Sequence, residues 1–152
     1  MTTQAPKQIT PRKLADYLEV MSKAVFQTGI SWKVVEVKWP GIREAFRGFD
    51  PKVVAAFTEA DLDALTNDTR VIRNRRKLEG IVKNARTMLE LEKQHGSFRA
   101  YLRSQGGFQA TLKDLKKQFS FLGDMGGYYF LYVVGEEVPP HEEFGHSRHR
   151  QS

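Results

Sequence analysis

A chain of 152 residues with 40% hydrophobic content is long enough to bury one core without covalent staples, and a single domain is expected. A net charge of +6 and a pI near 9.6 favour an anionic partner such as nucleic acid, while leaving the fold open. The lack of cysteine excludes disulfides and cysteine-based zinc sites, no apolar run reaches membrane-spanning length, and the opening MTTQAPKQ lacks the apolar stretch of a signal peptide; a cytoplasmic protein with no membrane partner is expected.

Met1 to Ile9 is polar and read as a disordered N-terminus, followed by one helical domain over residues 10–135. Thr10-Pro11 reads as an N-cap with proline at the first helical position, and Leu14, Leu18, Met21 and Val25, flanked by Tyr17, form the buried stripe of helix one, which Gly29 stops. Ser31 caps a short helix carrying Trp32, Val34 and Val35. Pro40-Gly41 is expected to break the chain and restart it as a short turn of helix through Ala45 and Phe46, closed by Gly48. Asp50-Pro51 repeats the cap-and-proline signal. Thr58 with Asp61 reads as a capping box opening a helix that ends near Thr66.

The longest helical pattern runs from Asp68 to Gly96, with Leu78, Ile81, Val82, Ala85, Met88 and Leu89 on one apolar face. Arg73, Arg75, Arg76 and Lys77 crowd its first turns, where the helix dipole disfavours cations. Two readings stay open there: a phosphate-facing cluster, or a solvated basic face with Asp68 and Glu79 as partners. Gly96 ends the helix, Ser97 caps a segment holding Phe98, Tyr101 and Leu102, and Gln105 to Gly107 is a loop. Thr111 with Asp114 reads as a second capping box. Phe119 to Gly127 reads as a tight glycine-bounded turn before an apolar helix from Tyr128 to Val134. Residues 136–152 have too little apolar content to pack and read as a disordered tail, in which His141, His146 and His149 beside Glu142 and Glu143 are solvated rather than metal ligands. The fold class is all-α, a compact multi-helix domain, because the one strand-like run, YYFLYVV, has no partner.

Gln27 to Trp32, Ala45-Phe46 through Phe49-Asp50-Pro51, Ile72 to Arg75 with Lys77, Asn84-Ala85-Arg86, Gly96-Ser97-Phe98 and Phe119 to Gly123 follow one another at compatible spacing. In that order they resemble the 3-methyladenine DNA glycosylase I family, a branch of the helix-hairpin-helix base-excision enzymes. The resemblance implies a helical fold that enters duplex DNA, flips out an alkylated adenine and cleaves its glycosidic bond, with double-stranded DNA as partner, no cofactor and a monomeric state. It implies that Trp32 stacks on the excised base and that Phe26 and Gln27 line the same pocket; the alternative for Trp32 is a core tryptophan at a helix junction. It also implies DNA contacts from Arg73, Asn74, Arg75 and Lys77, and phosphate contacts from Gly123 and Gly126 of the hairpin, whose alternative role is a turn between packed helices.

Three departures stand out. Ala24 occupies the position where the family carries a base-recognising glutamate, so the catalytic residue is unknown; Glu19 and Glu36 are the candidate substitutes. Met1 to Thr10 offers no counterpart to the family segment that supplies a pocket tyrosine and zinc ligands, so no metal is expected. Asp124 places a carboxylate in the hairpin. A glycosylase and a DNA-binding or damage-recognition module that has lost base excision are both compatible with these residues.

Overall fold

The computed structural model describes residues 6–140; the histidine-containing segment from His141 onward lies outside the described residues. Eight α-helices and one short 3-10 turn make up the described chain, with no strand among the described residues. Helix α1 spans Leu14–Gln27. Its N-cap is Lys13 rather than Thr10, because the Asp16 carboxylate reaches back to accept the backbone N–H groups of Arg12 (2.8 Å) and Lys13 (3.2 Å). Just before it, Ile9 donates its N–H to the Val133 carbonyl and the Gln8 side-chain amide donates to the Tyr132 carbonyl, and residues 1–5 of the segment expected to be disordered lie outside the described residues.

Helix α2, Trp32–Ala45, starts at the Ser31 cap and runs through Pro40. The expected break is absent for a tertiary reason. Val35, Trp39, Ile42 and Ala45 form one buried stripe that crosses the proline, and their burial outweighs the roughly 3 kcal/mol an interior proline costs. Arg47, Gly48 and Phe49 then take left-handed φ values of 54°, 72° and 59°. This conformation is held because Phe46 and Phe49, both fully buried, stack at 5.0 Å. Helices α3 (Pro51–Ala55) and α4 (Glu59–Thr66) start as their caps indicate: Asp50 accepts from Lys52 N–H, and Thr58 and Asp61 exchange both bonds of a capping box.

Helix α5, Arg75–His95, is the central strut, packing on α1, α3, α4 and α6 (Phe98–Arg103). It begins seven residues later than the sequence pattern, since Asn74 caps it and Asp68 folds the preceding segment by accepting the Arg70 N–H. Leu78, Ile81, Val82, Ala85 and Met88 are buried as expected, with Leu91 rather than the half-buried Leu89 completing the face. Gly96 ends α5 at φ 87°. Helix α7, Phe108–Gln118, starts before Thr111, whose hydroxyl donates to Leu102 while Asp114 accepts the Tyr101 phenol, so the second capping box does not form. Helix α8 spans Asp124–Val133 and takes in Gly126 and Gly127, which the sequence pattern placed in the turn. Gly127 is a packing residue: a Cβ there would fall 2.4 Å from Leu112 Cδ1, so its absence lets α7 and α8 close. No described helix is long and apolar enough to cross a membrane.

Candidate functional site

A cavity of about 840 Å³ opens between the α1–α2 junction and the hairpin that joins α7 to α8. Ala24, Gln27 and Trp32 form one wall; Phe121, Leu122, Gly123, Met125, Gly126 and Tyr129 form the other, and Pro6 of the N-terminal segment also contributes. Residues 24 and 27 share a helix face, which is why both reach the cavity. Phe26, on another face, does not. It is fully buried against Trp39 (6.1 Å) and Phe46 (6.4 Å) and is a core residue rather than the pocket residue expected.

Trp32 is half-buried and meets the Tyr129 ring edge-on, with centroids 5.4 Å apart and planes at 72°. Burial raises the Tyr129 phenol well above its ordinary range, and the negative charges of Glu36 and Glu19 act in the same direction, so it stays protonated at neutral pH. The Gln27 amide nitrogen is buried without a hydrogen-bond partner. A buried donor left unpaired is costly, and a ligand edge in the cavity could satisfy it. Ala24, 3% exposed, faces Gly126, at which a Cβ would lie 3.6 Å from its own.

No acidic side chain is among the residues lining this cavity. Glu19 accepts the Trp39 indole N–H at 2.8 Å and lies 3.6 Å from Arg43, a structural role within the α1–α2 pair. Glu36 stays exposed on α2. Neither lines the cavity in place of the residue missing at position 24.

The basic start of α5, expected to be either phosphate-facing or a solvated face with acidic partners, divides residue by residue. Arg75 pairs with Glu59 (2.6 Å), Glu79 (3.3 Å) and Asp63, bracing α4 against α5. Asn74 accepts the Lys77 N–H as the α5 cap. Lys77 itself is 5% exposed and donates to the backbone carbonyls of Thr28 and Phe26. Its pKa is lowered by burial. Arg73 and Arg76 remain exposed. The acidic spacing on α4 and at Glu79 was the available sequence signal for Arg75; nothing local announced the burial of Lys77.

At the hairpin, Gly123 precedes α8 and accepts the Gly127 N–H at 2.8 Å, and Gly126 sits in the first helical turn. Asp124 is ion-paired with Lys116 at 2.6 Å, which offsets the repulsion its carboxylate would present to a phosphate. Sequence reasoning assigned no role to Asn84. Its 1% exposed side chain accepts the Ser120 N–H (2.7 Å) and donates to the Ser120 carbonyl (3.2 Å), and the next residue, Phe121, takes φ 59° with its ring laid over Gly80. No cluster of three or more His, Asp or Glu residues arranged to hold a metal occurs among the described residues.

The sequence family described as methyladenine glycosylase matches residues 11–121. The chain is 33% identical to the DNA-3-methyladenine glycosylase of Haemophilus influenzae and 32% identical to DNA-3-methyladenine glycosylase 1 of Escherichia coli, in each case across 72% of this chain and 70% of the relative. Among solved structures, 3-methyladenine DNA glycosylase I from Staphylococcus aureus, studied for its 3-methyladenine recognition, superposes with a TM-score of 0.74 at 29% identity, covering 85% of this chain and 80% of that one. A variant 3-methyladenine DNA glycosylase I in complex with 3-methyladenine gives a TM-score of 0.74 at 27% identity over 88% and 86% of the two chains.

Proposed function

The chain belongs to the methyladenine glycosylase family, and from that membership we propose that it binds duplex DNA as a cytoplasmic monomer and removes an alkylated base such as 3-methyladenine by hydrolysing the N-glycosidic bond. The observation that carries this reading is the cavity shared by Trp32, Gln27, Tyr129 and the hairpin, which offers a flipped base an aromatic wall and hydrogen-bonding groups at one end of the helical domain, residues 10–135.

Unstacking a base costs a few kcal/mol, and stacking against an aromatic wall returns part of that cost. An N3-alkylated adenine is cationic in DNA and gains further from the electron-rich face of Trp32. Cleavage transfers the bonding electron pair from the C1′–N bond to the base, which leaves neutral, while water oxygen bonds to C1′ and gives up a proton to solvent. The departing base needs no added proton, so an acid at position 24 is not required for leaving-group activation. Catalysis is then chiefly selective binding, with Gln27 and the protonated Tyr129 orienting the base. Exposed Arg73 and Arg76, with the hairpin backbone at Gly123 and Gly126, are the groups that would meet DNA phosphates.

Chromatography of the bases released from alkylated duplex DNA tests the reading. Release of free 3-methyladenine is expected. The cavity's lack of any acidic lining residue favours a second reading, a damage-recognition module without excision; selective binding of alkylated duplex with no released base would establish that one instead.

A further inference from the structure

The two walls of the cavity come from distant parts of the chain and turn at two connections, residues 28–31 between α1 and α2 and residues 119–123 between α7 and α8. Each wall joins helix ends through a connection that has no regular structure of its own. Their separation is therefore set by whatever holds them, and both are held by the same helix. Lys77 of α5 donates to the carbonyls of Phe26 and Thr28, and Asn84 of α5 closes two hydrogen bonds with the backbone of Ser120. Asn84 lies seven positions after Lys77. Two helical turns place them on one face of α5 and space them about 10 Å along its axis.

We infer that Lys77 and Asn84 are positioning residues that fix the two walls of the cavity against one rigid helix, and so set the width of the slot into which the base enters.

Each residue type suits its task. The last carbonyls of a helix have no intrahelical partner and carry the negative end of its dipole, which a buried ammonium satisfies from outside. At the end of α1 the Thr28 hydroxyl approaches the Ala24 carbonyl at 3.5 Å and Ile30 N–H takes the Gln27 carbonyl, so Lys77 completes the set by taking Phe26 and Thr28. The turn it secures carries Gln27 on one side and Trp32 on the other. Asn84 presents an acceptor and a donor side by side, matching the N–H and C=O of a single residue. Fixing Ser120 in this way orients Phe121, whose left-handed backbone is otherwise unfavourable. Neither side chain lines the cavity, so both act through the segments they hold.

This inference rests on the cavity being the base pocket, and the test separates the two ideas. Full-length Lys77→Met and Asn84→Leu are compared by hydrogen exchange, by Trp32 fluorescence in a Trp39→Phe background that leaves Trp32 the only tryptophan, and by titration with free 3-methyladenine. Lys77→Met should raise exchange in residues 26–31 about tenfold or more and shift the Trp32 emission, leaving 119–123 protected. Asn84→Leu should do the converse. Each should weaken 3-methyladenine binding at least fivefold, with Lys77→Arg recovering part of the loss. If Lys77→Met does not fold, Asn84→Asp, which keeps the acceptor and removes the donor, should loosen 119–123 alone. A uniform rise in exchange through α1, α5 and α8, or local loosening with unaltered 3-methyladenine affinity, would overturn the inference. Wall-selective loosening in a protein whose wild type binds no 3-methyladenine would sink the proposed ligand while supporting the positioning of the walls.

Discussion

Trp32 carries the sharpest residue-scale expectation. Trp32→Ala should weaken binding to duplex containing methylated adenine more than to undamaged duplex, by roughly 1 to 3 kcal/mol for the lost stacking contact, as measured by competition binding; equal losses on both DNAs would make Trp32 a packing residue of the Tyr129 contact. Ala24 offers the complementary test. Its Cβ faces the cavity one turn from the unpartnered Gln27 amide, so Ala24→Glu places a carboxylate able to accept from Gln27 or from a base edge. The expected gain in selectivity for alkylated adenine is about 1.5 to 3 kcal/mol, the range of a hydrogen bond to a charged group, with lower thermal stability in the free protein from the buried charge. A variant neutral in both respects would contradict the placement of residue 24. The family resemblance, aligned on Gly29 and Trp32, singled out position 24, whereas the direction of Phe26 was not legible: adjacent residues on a helix point about 100° apart, and only the packing of Trp39 and Phe46 shows which direction leads to the core.

Elements with local start and stop chemistry were readable, and those decided by tertiary contact were not. Thr58 with Asp61, Asp50-Pro51, Ser97 and Gly96 behave as their residue types dictate because a cap involves only its own turn. Pro40 and Gly127 mislead for the opposite reason, since the core that buries the α2 stripe and the Leu112 that abuts Gly127 belong to other elements of the fold. Gly80 belongs with them. A Cβ there would lie 2.8 Å from the Phe121 ring, so Gly80→Ala should push the hairpin off α5 and cost about 1 to 3 kcal/mol in denaturant unfolding; an unchanged midpoint would show that Phe121 moves freely. The caps also set an acid limb of stability. Hydrogen bonds from Thr58 hold Asp61 below its ordinary value of 3.8, and those from Arg70 do the same for Asp68. Because the folded values are depressed, this stabilisation is fully present above about pH 4 and is lost as pH falls through the folded values. Asp61→Asn should therefore melt below wild type at pH 7, and the two melting curves should converge toward pH 2; a constant difference across that range would rule out the ionised cap as the cause.

On the scale of the whole molecule, the charge of +6 is divided between structural and available cations. Arg75 and Lys77 brace the fold, and Arg73 and Arg76 stay exposed. Arg73→Ala should reduce the slope of log affinity against log salt by about 0.9, one phosphate's worth, while Arg75→Ala should lower stability with the slope unchanged. The reverse pattern would mean that DNA draws Arg75 out of its ion pairs. The central claim, that the cavity between the α1–α2 junction and the hairpin is a working base-excision pocket, is tested most directly by single-turnover release of 3-methyladenine from alkylated duplex, with wild type and Trp32→Ala run side by side. Wild type should release the base, and Trp32→Ala should do so at least tenfold more slowly, about 1.4 kcal/mol in the barrier. No release by wild type, or equal rates for the two proteins, would contradict it.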